Sequence, residues 1–430
     1  MIEIIQIVLI YLAFSISIFL PINLFSINSS LKKYTCIDLA TFNLGINLSV
    51  LLIFSLLNYS IKTIQPFIFS FYLILLIFTY CKNIKQLLKT FTKYIPIFLV
   101  FFILSMDIAN KLYLGWDAKF FYYIKSLYFF ENKNLIDLTE FSAHRYHPHL
   151  GSYIWAFFRK ISIIDFEYTG RLYYLFIFCF SVFYLIDSKK NSLINYFFYF
   201  LIVVLFYEYE FFSGLQEILL FSILLIISKY LFKITQYNND LFLYFLVIFA
   251  NLMMWIKLEG IVYLLILSLI TNFSLKIRFK KKLMLTIMFL SIYCMKLIVY
   301  YVSDLNLDAQ PSYNSEYLTS LTFSLIIEKI KSITIWLLYY AFNNVFFISG
   351  LFIVLLTNFT KNNYTYLKIV SLYLILFICF IYFAYIIRDQ EIIYAIRTTM
   401  DRLIMTSSGF FVYLILIEIN KIFKNKILKL

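Results

Sequence analysis

The chain has 430 residues, of which 63% are hydrophobic, 22% aromatic and only 14% charged, with a formal net charge of +14. A mean hydropathy of +0.86 excludes an ordinary soluble domain, and the long apolar runs imply transmembrane helices. The five cysteines (Cys36, Cys81, Cys179, Cys294 and Cys379) form no close-spaced pair, so neither a disulfide framework nor a zinc ribbon is suggested.

In chain order, the opening Met1-Ile2-Glu3 lacks the basic region of a signal peptide, and no small-residue cleavage site follows the first apolar run. That run reads as a membrane helix. The apolar segments predict helices over 4–24, 39–58, 66–81 and 95–110, then over 171–186, 194–206, 212–228, 241–256, 258–273, 283–303, 333–357, 367–387 and 403–420. The expected fold is all-α and polytopic, with about 13 transmembrane helices and a range of roughly 11–13. It divides into N-terminal helices over 1–110, a polar loop over 111–170, and the remaining helices of the same membrane domain over 171–430.

The basic residues are not spread evenly over the loops. With the N-terminus outside, alternate loops collect Lys32 and Lys33, Lys82 to Lys93, Lys189 and Lys190, Lys229 and Lys233, the run Lys276 to Lys282, Lys361 and Lys368, and the tail lysines from Lys421. That side holds 21 basic residues against four acidic ones (Asp38, Asp187, Asp240 and Glu418). Such an excess marks the cytoplasmic side, so the loop 111–170 is expected to face away from the cytoplasm and the C-terminus to lie inside. The positive charge therefore reads as topology, with no nucleic-acid partner.

The loop 111–170 concentrates polar chemistry in a greasy chain, holding Asp117, Arg145 and all three histidines. Helical spacing over 117–131 and a segment over 150–158 too short to span predict two interfacial helices around a polar turn broken by Pro148. The same style recurs over 304–332, where 320–332 is expected to form another interfacial helix. Such a cleft at the water–lipid boundary suits a substrate with a lipid tail and a polar head. His144, His147 and His149 stand close enough to ligate zinc, but a ligand set needs geometry as well as spacing. Sugar or phosphate contacts, or simple lining of the loop, are the alternatives. Trp116, Tyr122, Tyr123, Tyr146 and Trp155 suit stacking on a sugar, although aromatic side chains also anchor helices at interfaces.

Several short motifs occur in a fixed order on the expected outer side. They are Trp116-Asp117-Ala118 after a helix, Tyr146-His147-Pro148-His149-Leu150-Gly151, Arg171-Leu172, Ser213-Gly214-Leu215-Gln216-Glu217, Trp255-Ile256-Lys257-Leu258-Glu259-Gly260 and Thr399-Met400-Asp401-Arg402-Leu403. Together they resemble the GT-C superfamily of integral-membrane glycosyltransferases, of the dolichyl-phosphate-mannose mannosyltransferase and aminoarabinose-transferase kind. The resemblance covers residues 100–410. The chain departs from that pattern in having four helices before the loop, Leu258 in place of a proline, and no strict D-x-D motif.

The resemblance implies an inverting enzyme that moves a hexosyl or pentosyl group from a polyprenyl-phosphate donor to an envelope glycan or lipid acceptor. The site would lie on the extracytoplasmic face of the cytoplasmic membrane, among membrane lipid. Such transfer needs a carboxylate to take the acceptor's proton and cations to stabilise the departing phosphate. Asp117 is the implied base, its alternative being a helix N-cap. Glu217 lies inside an apolar run, where a carboxylate is costly, and is the second catalytic candidate. Arg145, His147, His149, Lys257, Glu259, Arg397 and Arg402 are the substrate- and phosphate-binding candidates. The alternative for Lys257 and Glu259 is a turn between two helices, and for Arg402 a structural pair with Asp401. Glu208 and Glu210 could hold a divalent cation or simply form negative surface, so the cofactor stays open. The rival readings are a polysaccharide polymerase or ligase and, in a different class, a transporter or flippase.

Overall fold

The computed structural model describes residues 2–22, 34–140, 147–186, 193–237, 240–305, 317, 319, 321–359, 365–389 and 391–427. Among the described residues there are 16 α-helices and no strand. They are α1 (Ile2–Phe19), α2 (Cys36–Leu56), α3 (Ile61–Lys93), α4 (Ile95–Lys111), α5 (Tyr123–Phe130), α6 (Leu150–Arg159), α7 (Tyr168–Ile186) and α8 (Leu193–Phe206). The second half continues with α9 (Glu217–Tyr237), α10 (Asp240–Ile256), α11 (Gly260–Phe273), α12 (Phe279–Val302), α13 (Phe323–Asn343), α14 (Val345–Phe359), α15 (Thr365–Ile386) and α16 (Ile392–Ile427).

Eight of the described helices are long and apolar enough to cross a membrane, and a ninth span arises if the bent pair α13–α14 counts as one. The helices α10 and α11, and residues Asn195–Phe206 of α8, are shorter apolar segments. The chain is therefore an all-α, multi-pass membrane protein. Two expectations change. The helix predicted over 333–357 is broken at Asn344, where the axes of α13 and α14 diverge by 103°. Asn344 is extended (φ −99°, ψ 103°), and its side-chain oxygen accepts from the Phe347 amide at 2.9 Å, starting α14 afresh. The segment 320–332 is no separate interfacial helix, because from Phe323 it runs unbroken into α13, with the Thr322 hydroxyl capping its first turn.

The described chain divides into two compact units. The first comprises Met1–Ser222, Leu252–Leu258 and Tyr301–Leu305. Its centre is α7, of which 94% is buried, because bulky aromatic side chains point from it in every direction. Tyr173 stacks on Phe158 with ring centroids 3.6 Å apart and meets Phe14 edge-on at 4.9 Å. The carbonyls left open at the end of α1 are satisfied by side chains of neighbouring helices. Asn43 donates to the Ser17 and Ile18 oxygens at 2.6 and 2.8 Å, and Asn47 to Ser17 at 3.0 Å. The start of α2 carries a capping box between Thr35 and Asp38, and Tyr184 of α7 donates to the Asp38 carboxylate at 3.0 Å.

The second unit comprises Ile223–Asn251, Glu259–Tyr300 and Asn306–Leu430. Its core forms where α14, α15 and α16 pack. Tyr373 stacks on Phe410 at 3.8 Å and shares a hydrogen bond with Ser407 at 3.0 Å. The buried Lys329 of α13 donates to the Ile386 and Arg388 carbonyls at 3.1 and 2.8 Å, closing the end of α15.

Candidate functional site

The predicted loop residues are positioned by the way α4 stops. Leu112 adopts a left-handed conformation (φ 47°) and turns the chain out of the helix. Three residues later the Gly115 amide donates to the Ser213 carbonyl at 3.0 Å. Asp117 then opens a π-helical turn, Ala118–Tyr122, that leads into α5, and a wide turn of this kind is common at functional sites. Asp117 is half-buried, and its side chain makes no capping bond to the helix it opens.

The segment Ser213–Glu217 lies against the same turn. Gly214 holds φ +94°, and a Cβ there would meet the Trp155 ring at 2.5 Å and the Ala118 Cβ at 3.0 Å. The loop carrying Asp117 and the loop leading to Glu217 thus touch through Ala118 and Gly214, and Trp155 of α6 fills the space beside them. At the other end of α6, Gly151 lies so close to the Gln216 amide that a Cβ would sit 2.4 Å from it. Tyr174 donates to the Gly151 carbonyl at 2.7 Å and fixes that end of the helix.

Two buried ion pairs lie in this unit. Lys257 Nζ donates to Glu217 Oε1 at 2.7 Å, with both side chains nearly shut away from solvent. Arg171 grips Glu167 with two bonds of 2.8 Å and donates to the Tyr113 and Phe212 carbonyls at 3.3 and 3.1 Å. It thereby ties the ends of both loops to α7. Charged groups are costly to bury, and pairing of this quality is what makes burial tolerable.

His149 is buried, with its Nε2 2.8 Å from Ser55 Oγ and its ring edge-on to Trp255 at 5.6 Å. The same Ser55 hydroxyl lies 2.7 Å from the Leu52 carbonyl, so it bridges His149 to the last turn of α2. His147 stacks on Phe121 at 5.5 Å, and its carbonyl accepts from the buried Lys125 at 2.8 Å. Burial pushes the Lys125 amine down to about 7.

Of the residues expected in the site, the structure gathers Asp117, His147, His149, Glu217 and Lys257 into the first unit. His144 and Arg145 lie outside the described residues. Glu259, Arg397 and Arg402 belong to the second unit. There Glu259 precedes α11 and its carbonyl accepts from the Val262 and Tyr263 amides. The Arg397 guanidinium lies 5.2 Å from the Trp336 ring, and Arg402 bonds back to the Thr398 carbonyl of its own helix at 2.8 Å. Glu208 and Glu210 are exposed, and no group of three His, Cys, Asp or Glu side chains fit to hold a metal occurs among the described residues. Ser55, Lys125 and Glu167 are site neighbours that no sequence motif singled out, whereas Gln216 belongs to the Ser213–Glu217 motif. Glu167, one turn before Arg171, carried the only local signal, an i, i+4 pair of opposite charge.

No family model, no curated protein and no solved structure matches the chain.

Proposed function

We propose that the chain is an integral-membrane glycosyltransferase of GT-C type, using a polyprenyl-phosphate-linked sugar donor and a glycan or lipid acceptor on the outer face of the cytoplasmic membrane. One observation carries the reading. Segments 20 to 140 residues apart that resemble the superfamily's motifs, around Asp117, Gly151, Arg171, Glu217 and Lys257, fall within one compact unit. The one-sided excess of lysine supports the outer placement. With the bent pair α13–α14 counted as one crossing, and α4, α8, α10 and α11 as crossings, about 13 spans keep the 21 basic residues counted above on one side.

In the proposed reaction the acceptor oxygen attacks the anomeric carbon with inversion. Its proton passes to the Asp117 carboxylate. The bond from the anomeric carbon to the phosphate oxygen breaks, and its electron pair leaves with the polyprenyl phosphate. Lys257 supplies positive charge for that phosphate, and Glu217 holds the ammonium in place. Glu217 is then a positioning residue rather than a second base.

The test uses the full chain in nanodiscs with a labelled polyprenyl-phosphate hexose and a membrane glycolipid extract as acceptor. Asp117→Asn is expected to lower transfer by at least about a hundredfold, the usual loss for a missing general base, while donor binding stays intact. Lys257→Met is expected to weaken donor binding. Transfer at the unsubstituted rate in Asp117→Asn and Asp117→Ala would remove Asp117 as the base.

A second reading has its own support. The short helices α10 and α11 are interrupted at Lys257–Glu259 beside a buried ion pair, and discontinuous helices of this kind form substrate sites in transporters. Uptake of the intact lipid-linked sugar into sealed vesicles without any transfer would favour this reading.

A further inference from the structure

The strongest unassigned feature is a cationic edge on the first unit, above a bare apolar strip. Gln65 of α3 donates to the Lys160 carbonyl at 3.1 Å, joining the start of α3 to the end of α6. Lys62 stands one turn before Gln65 on the same face of α3. The Lys160 ammonium bonds to the Asn132 side-chain oxygen, a neutral partner, and lies over the Phe130 ring at 5.4 Å. Arg159 also lies over that ring, at 4.4 Å, but is matched by Asp165 through bonds of 2.6 and 3.1 Å. Neither Lys62 nor Lys160 has a carboxylate partner among the described residues. Burial and the neighbouring charge of Lys62 both hold the Lys160 amine below its ordinary value. Two like charges held together without an anion oppose each other, and an anion between them removes the cost.

The surface below this edge is apolar and open. Phe69, Leu73 and Ile77 follow Lys62 by 7, 11 and 15 residues, which places them on Lys62's own face of α3, and all three are exposed. At about 1.5 Å per residue the strip reaches Leu73 some 16 Å below Lys62. That matches one leaflet of a hydrocarbon core about 30 Å thick. Only 17% of Ile61–Phe78 is covered by the protein.

We propose that this edge binds one anionic phospholipid, its phosphate seated between Lys62 and Lys160 and an acyl chain laid along Phe69, Leu73 and Ile77. The inference rests on the membrane location alone and is independent of sugar transfer.

The experiment holds the full chain in a neutral detergent and titrates it with phosphatidylglycerol or phosphatidylcholine, reading bound lipid by native mass spectrometry. Phosphatidylglycerol affinity is expected to fall about fivefold for each of Lys62→Gln and Lys160→Gln, with phosphatidylcholine unaffected and Lys62→Arg retaining binding. Lys62 is exposed, so the single variant reports on binding without disturbing the core. Unchanged phosphatidylglycerol binding in the double variant would overturn the proposal. So would an equal loss from Lys331→Gln, an exposed lysine of α13, since that would mean a diffuse charge effect. Displacement of the lipid by inorganic phosphate alone would also overturn it, by making the site one for free phosphate.

Discussion

At the scale of single residues, the site is built from charges that the membrane would not tolerate unpaired. Lys257 and Glu217 meet across 40 positions of sequence, and Ser55 and His149 across 94. Neither partnership was legible beforehand, because hydropathy reports that a residue is hidden but not which neighbour hides it. Asp117, Glu217 and Lys257 were legible as individuals, since each interrupts or borders an apolar run where a charge needs a reason. Lys125 lies on the helix predicted over 117–131 and is buried. Its amine is pushed down to about 7 by burial, whereas the unfolded chain keeps an ordinary lysine value. Between those two values the unfolded state holds the extra proton, so stability should rise as pH climbs from about 7 toward 10, and stay level with respect to this group below 7. Thermal unfolding in nanodiscs at about pH 7 and about pH 9 checks this, and the rise should shrink in Lys125→Met.

At the scale of helices, the apolar stretches located nearly every element, and the break at Lys257 to Glu259 was legible from two charges in a long greasy run. The ends were not. The prediction stopped α3 near residue 81 and began α16 near 403, yet α3 runs from Ile61 to Lys93 and α16 from Ile392. Lysine, glutamine and arginine are good helix formers, so a helix continues after its hydropathy has fallen. The kink at Asn344 was missed for the converse reason. Apolar residues on both sides hide a change of direction that one asparagine side chain fixes. Removing that cap with Asn344→Ala should lower thermal stability by about 1 kcal/mol, the usual value of an N-cap. A circular-dichroism melt of the purified protein measures it, and an unchanged midpoint would assign the bend to packing alone.

At the scale of the whole chain, the multi-pass helical fold was legible from composition, and the sidedness rests on where lysine accumulates. The proposed sidedness has a direct consequence in cells. On a background without native cysteines, a membrane-impermeant thiol reagent should label Lys119→Cys in intact cells and Lys280→Cys only after the membrane is opened. Labelling of Lys280→Cys from outside would reverse the topology and with it the outer site.

The hydrogen bond from Tyr184 to Asp38 bears on how such a chain is made. Thr35 can cap α2 as soon as that helix emerges from the ribosome, but the tyrosine that completes the carboxylate's shell is synthesised 146 residues later. In a chain inserted from its N-terminus, α2 must wait beside the translocation machinery, or in lipid, with an acid still seeking its last partner. This contact of the first unit therefore forms only after α7 has been made, however early α2 itself is inserted.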